Sequence, residues 1–152
     1  MPRVIVAAAD FDPGAELARL EAGAGAVSGF VGIVRGESQG RTLAALTLEH
    51  YPGMTEQALA AMAGTAMTRW RLLDCLIIHR IGRLEPGARI VLAATASAHR
   101  GDALEATAFL IDWLKTDAPF WKREDFIDGH SEWVAPRDAD HAARARWVLS
   151  GP

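Results

Sequence analysis

Leu73-Asp74-Cys75-Leu76-Ile77-Ile78-His79-Arg80-Ile81, the turn Glu85-Pro86-Gly87, and Arg89-Ile90-Val91-Leu92-Ala93-Ala94-Thr95-Ala96-Ser97 together decide the fold class. Two apolar runs of strand length on either side of a proline-glycine turn read as a hairpin, with a loop longer than the tightest type. A doubly wound parallel sheet would need a helical crossover between successive strands, and the 73–97 segment has none. The expectation is therefore an α+β domain with a largely antiparallel sheet and flanking helices, occupying residues 1–152 as one unit.

Working outward towards the N-terminus, residues 43–51 read as a strand that Pro52-Gly53 breaks. Apolar residues at 58, 59, 62, 66 and 70 then recur at helical spacing up to Trp70. Residues 27–34 form a second strand carrying Gly29 and Gly32, with Arg35 at its end and a polar loop over 36–42. A short strand over 3–8 precedes a helix that Asp12-Pro13 starts and the Gly-Ala stretch 22–26 ends. Towards the C-terminus, Asp102 is positioned to cap a helix with Ala103, Leu104, Ala108, Leu110, Ile111 and Leu114 on its apolar face. That helix must stop before Pro119. Strands over 120–126 and 131–134 and a terminal helix over 138–149 complete the reading, with no repeat or long linker.

Composition narrows the function. A chain of 152 residues that is 50% hydrophobic and 23% charged is ordinary globular material for one core. It contains no apolar run of the roughly 20 residues needed to span a bilayer. The first residues lack the basic stretch and apolar core of a signal peptide, so a soluble, cytoplasmic protein without a membrane partner is expected. The formal charge of −3 argues against a nucleic-acid binder. Cys75, the single cysteine, sits in an apolar run and reads as a packed thiol. The five histidines (50, 79, 99, 130 and 141) show no short paired zinc spacing, and no phosphate-cradling glycine loop or Gly-x-Ser-x-Gly elbow occurs. No metal or cofactor is expected.

Three local patterns can carry chemistry. Of the 16 basic residues, only Lys115 and Lys122 are lysines. In a chain that otherwise uses arginine, lysine marks places where a compact ammonium that can lose its proton would serve, or two lysines fall close together by chance. In an extended 120–124 segment, Phe120, Lys122 and Glu124 share one face, and Trp121 and Arg123 the other, so Lys122 can sit beside an apolar wall. There its pKa would fall, fitting it for proton transfer or as an amine nucleophile. Lys115 also has an ordinary reading, as a cation at a helix C-terminus. The string Ser97-Ala98-His99-Arg100-Gly101-Asp102 marks a strand-to-helix junction with unpaired N–H groups, suited to an anion or equally to a solvated turn. Arg35 can bind an anion or lie along a sheet edge.

Four strings together resemble the large subunit of molybdopterin synthase. They are Leu46-Thr47-Leu48-Glu49-His50-Tyr51-Pro52-Gly53-Met54; His79-Arg80-Ile81-Gly82; Ser97-Ala98-His99-Arg100; and Leu114-Lys115-Thr116 continuing through Ala118-Pro119-Phe120-Trp121-Lys122-Arg123-Glu124. The similarity runs from about residue 26 to Trp147, in the family's order. It implies an α/β-hammerhead fold and a homodimer in which each large subunit binds a small ubiquitin-like sulfur carrier, giving a heterotetramer. The carrier's C-terminal Gly-Gly is activated as a thiocarboxylate. The reaction is sulfur transfer to cyclic pyranopterin monophosphate, forming the molybdopterin dithiolene in molybdenum cofactor biosynthesis. The resemblance makes Lys115 and Lys122 the catalytic lysines. Arg35, His99 and Arg100 hold the anionic substrate, and Ile33, Val34, Arg123 and Glu124 border it. Arg137 resembles an arginine that reaches the neighbouring subunit's pocket. Ile33 stands where relatives often carry lysine, and the segment 125–132 is longer than in close relatives. The alternative from another class is a noncatalytic module that binds a phosphorylated ligand or a protein tail in the same basic pocket.

Overall fold

The computed structural model describes residues 2–150, without the side chains of Leu149 and Ser150. Strand β1 (Arg3–Ala7) leads into helix α1 (Pro13–Arg19), where the Asp12 side chain accepts the Ala15 N–H as the Asp-Pro start predicts. Next come β2 (Ala26–Ile33), β3 (Glu37–Ser38), β4 (Arg41–His50) and helix α2 (Met54–Arg69). Strands β5 (Leu72–Arg80), β6 (Gly82–Leu84) and β7 (Arg89–Ser97) precede helix α3 (Arg100–Thr116). Strands β8 (Phe120–Phe126) and β9 (Ser131–Val134) and helix α4 (Asp138–Ser150) complete the order. No described helix is long and apolar enough to cross a membrane.

The strands form two sheets, ordered β1-β5-β7-β2 and β3-β4-β8-β9, with β6 also paired to β4. All pairings are antiparallel except β1 with β5, so the α+β expectation with largely antiparallel pairing holds. Three expectations need correction. Strands β5 and β7 do pair antiparallel, but the loop between them detours into the second sheet through β6, with Leu84 opposite Leu46. The polar loop over 36–42 contains the short strand β3, which folds back on the start of β4. Helix α3 begins at Arg100 with His99 as its N-cap, not at an Asp102 cap; Asp102 lies in the first turn, where its charge suits the helix dipole.

Strands β5 and β7 are buried on both faces, which is why they read as continuous apolar runs. On one face Cys75, Ile77, Val91 and Ala93 meet α2 and α3 through Leu59, Ala63, Ala106 and Leu110. On the other, Leu76, Ile78, Leu92 and Ala94 are covered by Leu20 with Phe11 and Leu17. Val34, Leu48 and Leu84 form a third cluster, placed where β6 joins the two sheets. Burial pushes the Cys75 thiol up to about 12, with Asp74 adding to the effect, so the thiol packs and does not react.

Helix α3 is fixed at both ends. Thr95 Oγ1, buried on β7, donates to the Ala103 carbonyl at 2.8 Å and shares a hydrogen bond with Thr107. The turn after α3 is tied to the start of α2: Thr55 Oγ1, fully buried, donates to the Pro119 carbonyl at 3.1 Å and accepts the Tyr51 N–H at 2.9 Å. The chain before β2 also packs on the α3 lead-in, where Gly25 N–H donates to the Ser97 carbonyl at 2.9 Å. A β-carbon on Gly25 would stand 2.1 Å from the Ala98 carbonyl oxygen, so only glycine fits. Gly25→Ala is expected to destabilise the protein by about 1–3 kcal/mol, the usual cost of overpacking, read as a lower urea midpoint at unchanged m-value.

Candidate active site

A cleft of about 1090 Å³ opens where the two sheets meet the C-terminal ends of α3 and β9. Strand β8 forms its floor, and the alternation of an extended chain decides what faces it. The ladder with β4 sets Leu48 opposite Lys122 and His50 opposite Phe120. Phe120, Lys122 and Glu124 therefore share the face expected from the sequence, and all three line the cleft. Lys115 reaches the same space from the last turn of α3, where the negative end of the helix dipole favours a cation. Ile33, Val34 and Arg35 enter from the end of β2, after the register shift between Gly32 and Ile33. Arg137 closes the remaining side from the segment before α4.

The two lysines meet different surroundings. Lys115 is exposed, whereas Lys122 is half-buried. Burial first and the Lys115 charge second lower the Lys122 pKa from 10.5 to about 8, with Asp140 opposing both. An ammonium of this kind is protonated at neutral pH yet gives up its proton easily, which arginine cannot do. Behind the floor, His79 stacks on Phe120 with ring centres 3.8 Å apart and planes 16° from parallel. Its Nδ1 lies 2.8 Å from the Arg80 carbonyl oxygen, and since a carbonyl only accepts, Nδ1 carries the proton. Burial first, then the charges of Lys122 and Lys115, hold His79 down to about 4 against that hydrogen bond. The ring is neutral at physiological pH and serves as a wall.

Three residues grouped with this site in the sequence lie elsewhere on the chain. His99 and Arg100 are exposed at the opposite end of α3. Fifteen helical steps separate Arg100 from Lys115, about 22 Å at 1.5 Å per step. Arg123 points to the other face of β8: its Nε donates to Asp125 Oδ1 at 2.9 Å, and its guanidinium lies over the Trp133 ring. Asp125 also accepts from Thr47 and Ser131, so Arg123 belongs to a network that ties β4, β8 and β9 together. The sequence reading missed His79 as the support of Phe120, and it missed the cleft residues Trp121, Trp133 and Asp140. Among the described residues no group of three or more His, Cys, Asp or Glu is arranged to hold a metal ion.

Because burial disfavours the charged form of Lys122, this residue costs folding stability below about pH 8, and the cost fades as pH rises from 8 towards 10.5. Lys122→Met is therefore expected to stabilise the fold by roughly 1–3 kcal/mol at pH 7, with a smaller gain at pH 9.5. Urea denaturation at the two pH values measures the difference.

Comparison with known proteins identifies the family. A sequence model of the family described as MoaE protein matches residues 6–117. The molybdopterin synthase catalytic subunit of Ralstonia nicotianae is 51% identical over 152 residues, covering 98% of this chain and 86% of its own. That of Pseudomonas aeruginosa is 55% identical over 142 residues, covering 91% and 94%. Among solved structures, the molybdopterin biosynthesis MoaE protein from Burkholderia ambifaria superposes with a TM-score of 0.82 at 47% identity, covering 97% of this chain and 99% of that one. Molybdopterin synthase from Staphylococcus aureus gives 0.80 at 30% identity, covering 86% and 96%. With most of its length paralleled in these relatives, the chain belongs to the MoaE family, that of the molybdopterin synthase catalytic subunit.

Proposed function

We propose that this chain is a sulfurtransferase, acting as one catalytic domain. It takes sulfur from the thiocarboxylate at the Gly-Gly end of a small ubiquitin-like carrier and installs it on cyclic pyranopterin monophosphate as the dithiolene of molybdopterin. The observation that carries this reading is the convergence of Lys115 and a half-buried Lys122 in one cleft of about 1090 Å³. Both reactants are anions, and bringing them together away from water requires fixed cations. Arg35 and Arg137 supply charge that holds; the lysines supply charge that can also exchange a proton. Lys115 orients the thiocarboxylate, and Lys122 moves a proton or transiently captures the reacting pterin carbon. Ile33, Val34 and Glu124 border the substrate.

His99 and Arg100 enter this reading through the homodimer. Some 22 Å of helix keeps them out of their own chain's cleft, so their substrate contacts are made in the cleft of a second copy. Two large subunits and two carriers then form the working assembly.

Reconstitution with thiocarboxylated carrier and pterin precursor tests the proposal. The wild-type protein is expected to form the dithiolene product. Lys122→Arg should keep the positive charge yet lose turnover by about 10²–10⁴-fold, the range for a lost proton-transfer group. Absence of product from the wild-type protein would overturn the enzymatic reading, and binding without turnover would favour the noncatalytic module. Full activity in Lys122→Arg would remove the role given to that lysine.

A further inference from the structure

Asp140 is an acidic residue in a cleft that the proposed reaction fills with anions, and that placement needs a reason. It lies in the first turn of α4 and lines the cleft together with Lys115, Lys122 and Arg137. Its carboxylate is not free to swing away. Oδ2 accepts the Arg137 backbone N–H at 3.1 Å, while the Arg137 carbonyl accepts the N–H groups of Asp140 and His141 at 2.9 and 3.2 Å. Arg137 is thus the residue that caps α4, and Asp140, three positions on, returns the hydrogen bond as the acid of a capping box does. The Arg137 guanidinium Nε lies 4.0 Å from the same oxygen.

Helix α4 is itself held against α3. Arg144 Nε donates to Asp117 Oδ2 at 2.5 Å, and Asp112 Oδ2 accepts from Arg146 at 2.8 Å and from the Trp147 indole at 2.7 Å. The carboxylate therefore has a fixed backbone anchor on a fixed helix, and its field falls on Lys122. We propose that Asp140 is a positioning residue of the active site: a carboxylate clamped by the helix start that it caps, which serves as the resident counter-ion of Lys122 and sets the wall that carries Arg137.

Capping alone would explain the hydrogen bond to Arg137 and nothing else. The counter-ion role explains why the carboxylate faces the cleft and how two lysines stand in one cleft while the more buried keeps its proton near neutral pH. The charged groups around Lys122 come from every side. Lys115 stands on α3, Arg137 and Asp140 at the start of α4, Glu124 on β8 and Glu132 on β9; Arg35 and Glu37 lie beyond β2, with His79 and His50 behind Phe120. Of these, Lys115 and Asp140 bear on Lys122 most strongly, with opposite sign. Removing the Asp140 charge leaves burial and Lys115 unopposed, so the Lys122 midpoint must fall.

The inference rests on the reading of Lys122 as a reacting group, but its test needs neither carrier nor pterin. The chain has only two lysines, and cleavage after Phe120 or Trp121 separates them, so acylation of each amine can be followed against pH by peptide mass. Asp140→Asn is expected to lower the Lys122 midpoint by about 0.5 or more, equivalent to about threefold more neutral amine at pH 7. Asp138→Asn, the same charge change on an exposed residue of the same turn, should leave it in place. Asp140→Glu and Asp140→Gln form a second pair, since both side chains can return the capping bond and differ only in charge. The Gln variant should show the lower midpoint. A Lys122 midpoint that rises or stays put in Asp140→Asn, equal midpoints in the Glu and Gln variants, or an equal fall in Asp138→Asn overturns the proposal. A lowered midpoint with no change in the pH profile of sulfur transfer would instead count against Lys122 as the proton-transfer group.

Discussion

The ladder between β4 and β8 is the constraint on which the cleft depends. It runs from Leu43 opposite Phe126 to His50 opposite Phe120, and side chains alternate along it. A slip of one residue would turn Phe120, Lys122 and Glu124 away from the cleft and bring Arg123 in. Three features resist that slip. Phe126 is buried at one end, and Phe120 is stacked on His79 at the other. Between them, Asp125 accepts from Thr47 on β4, from Arg123 beside it and from Ser131 just past the turn. Since His79 belongs to β5, the register of the second sheet is anchored on the core of the first.

That anchoring explains how an acidic chain gathers cations in one place. The lysines arrive from elements held by apolar packing, not by their own ion pairs. Lys115 rides on α3, whose Ala106, Phe109 and Leu110 are buried against β7 and α2. Lys122 rides on the ladder. The field each exerts on the other is unfavourable and is carried by the stability of the surrounding core, a common arrangement where pKa values are tuned for chemistry. His79 contributes by staying neutral. A charged ring behind Phe120 would add a third cation to the same small region, and burial together with both lysines prevents its protonation above about pH 4.

Features set by local chemistry were legible in the sequence. The period-two alternation over 120–124 placed Lys122 with Phe120, and the two-faced apolar runs marked β5 and β7. Asp12-Pro13 located the start of α1. What escaped was short or long-range. Strand β6 has three residues and β3 two, too few for any periodicity to register, and each exists only because β4 offers an edge. Asp102 reads as the cap of α3 because His99, the residue that caps it, does so with no side-chain hydrogen bond. The Arg137 cap carries no sequence signal, since arginine is not a usual capping residue, and the place of Asp140 beside Lys122 depends on how α4 docks. The docking contacts, Arg144 to Asp117 and Trp147 to Asp112, join residues far apart in sequence.

Helix α3 also shows why grouping residues by family resemblance and grouping them by geometry give different answers. Its two ends carry the two halves of the proposed substrate site, Lys115 at one and His99 with Arg100 at the other, and a rigid helix holds those halves about 22 Å apart. No motion of a packed helix within one chain closes that gap. The proposed two-fold dimer would close it, because in an isologous pair whatever one copy lends its partner it also receives. The proposed dimer is then not an addition to a finished active site. In that dimer the same rod that delivers a lysine to one cleft would present an arginine and a histidine to the other, so the apolar packing of α3 on β7 would set the geometry of both sites at once.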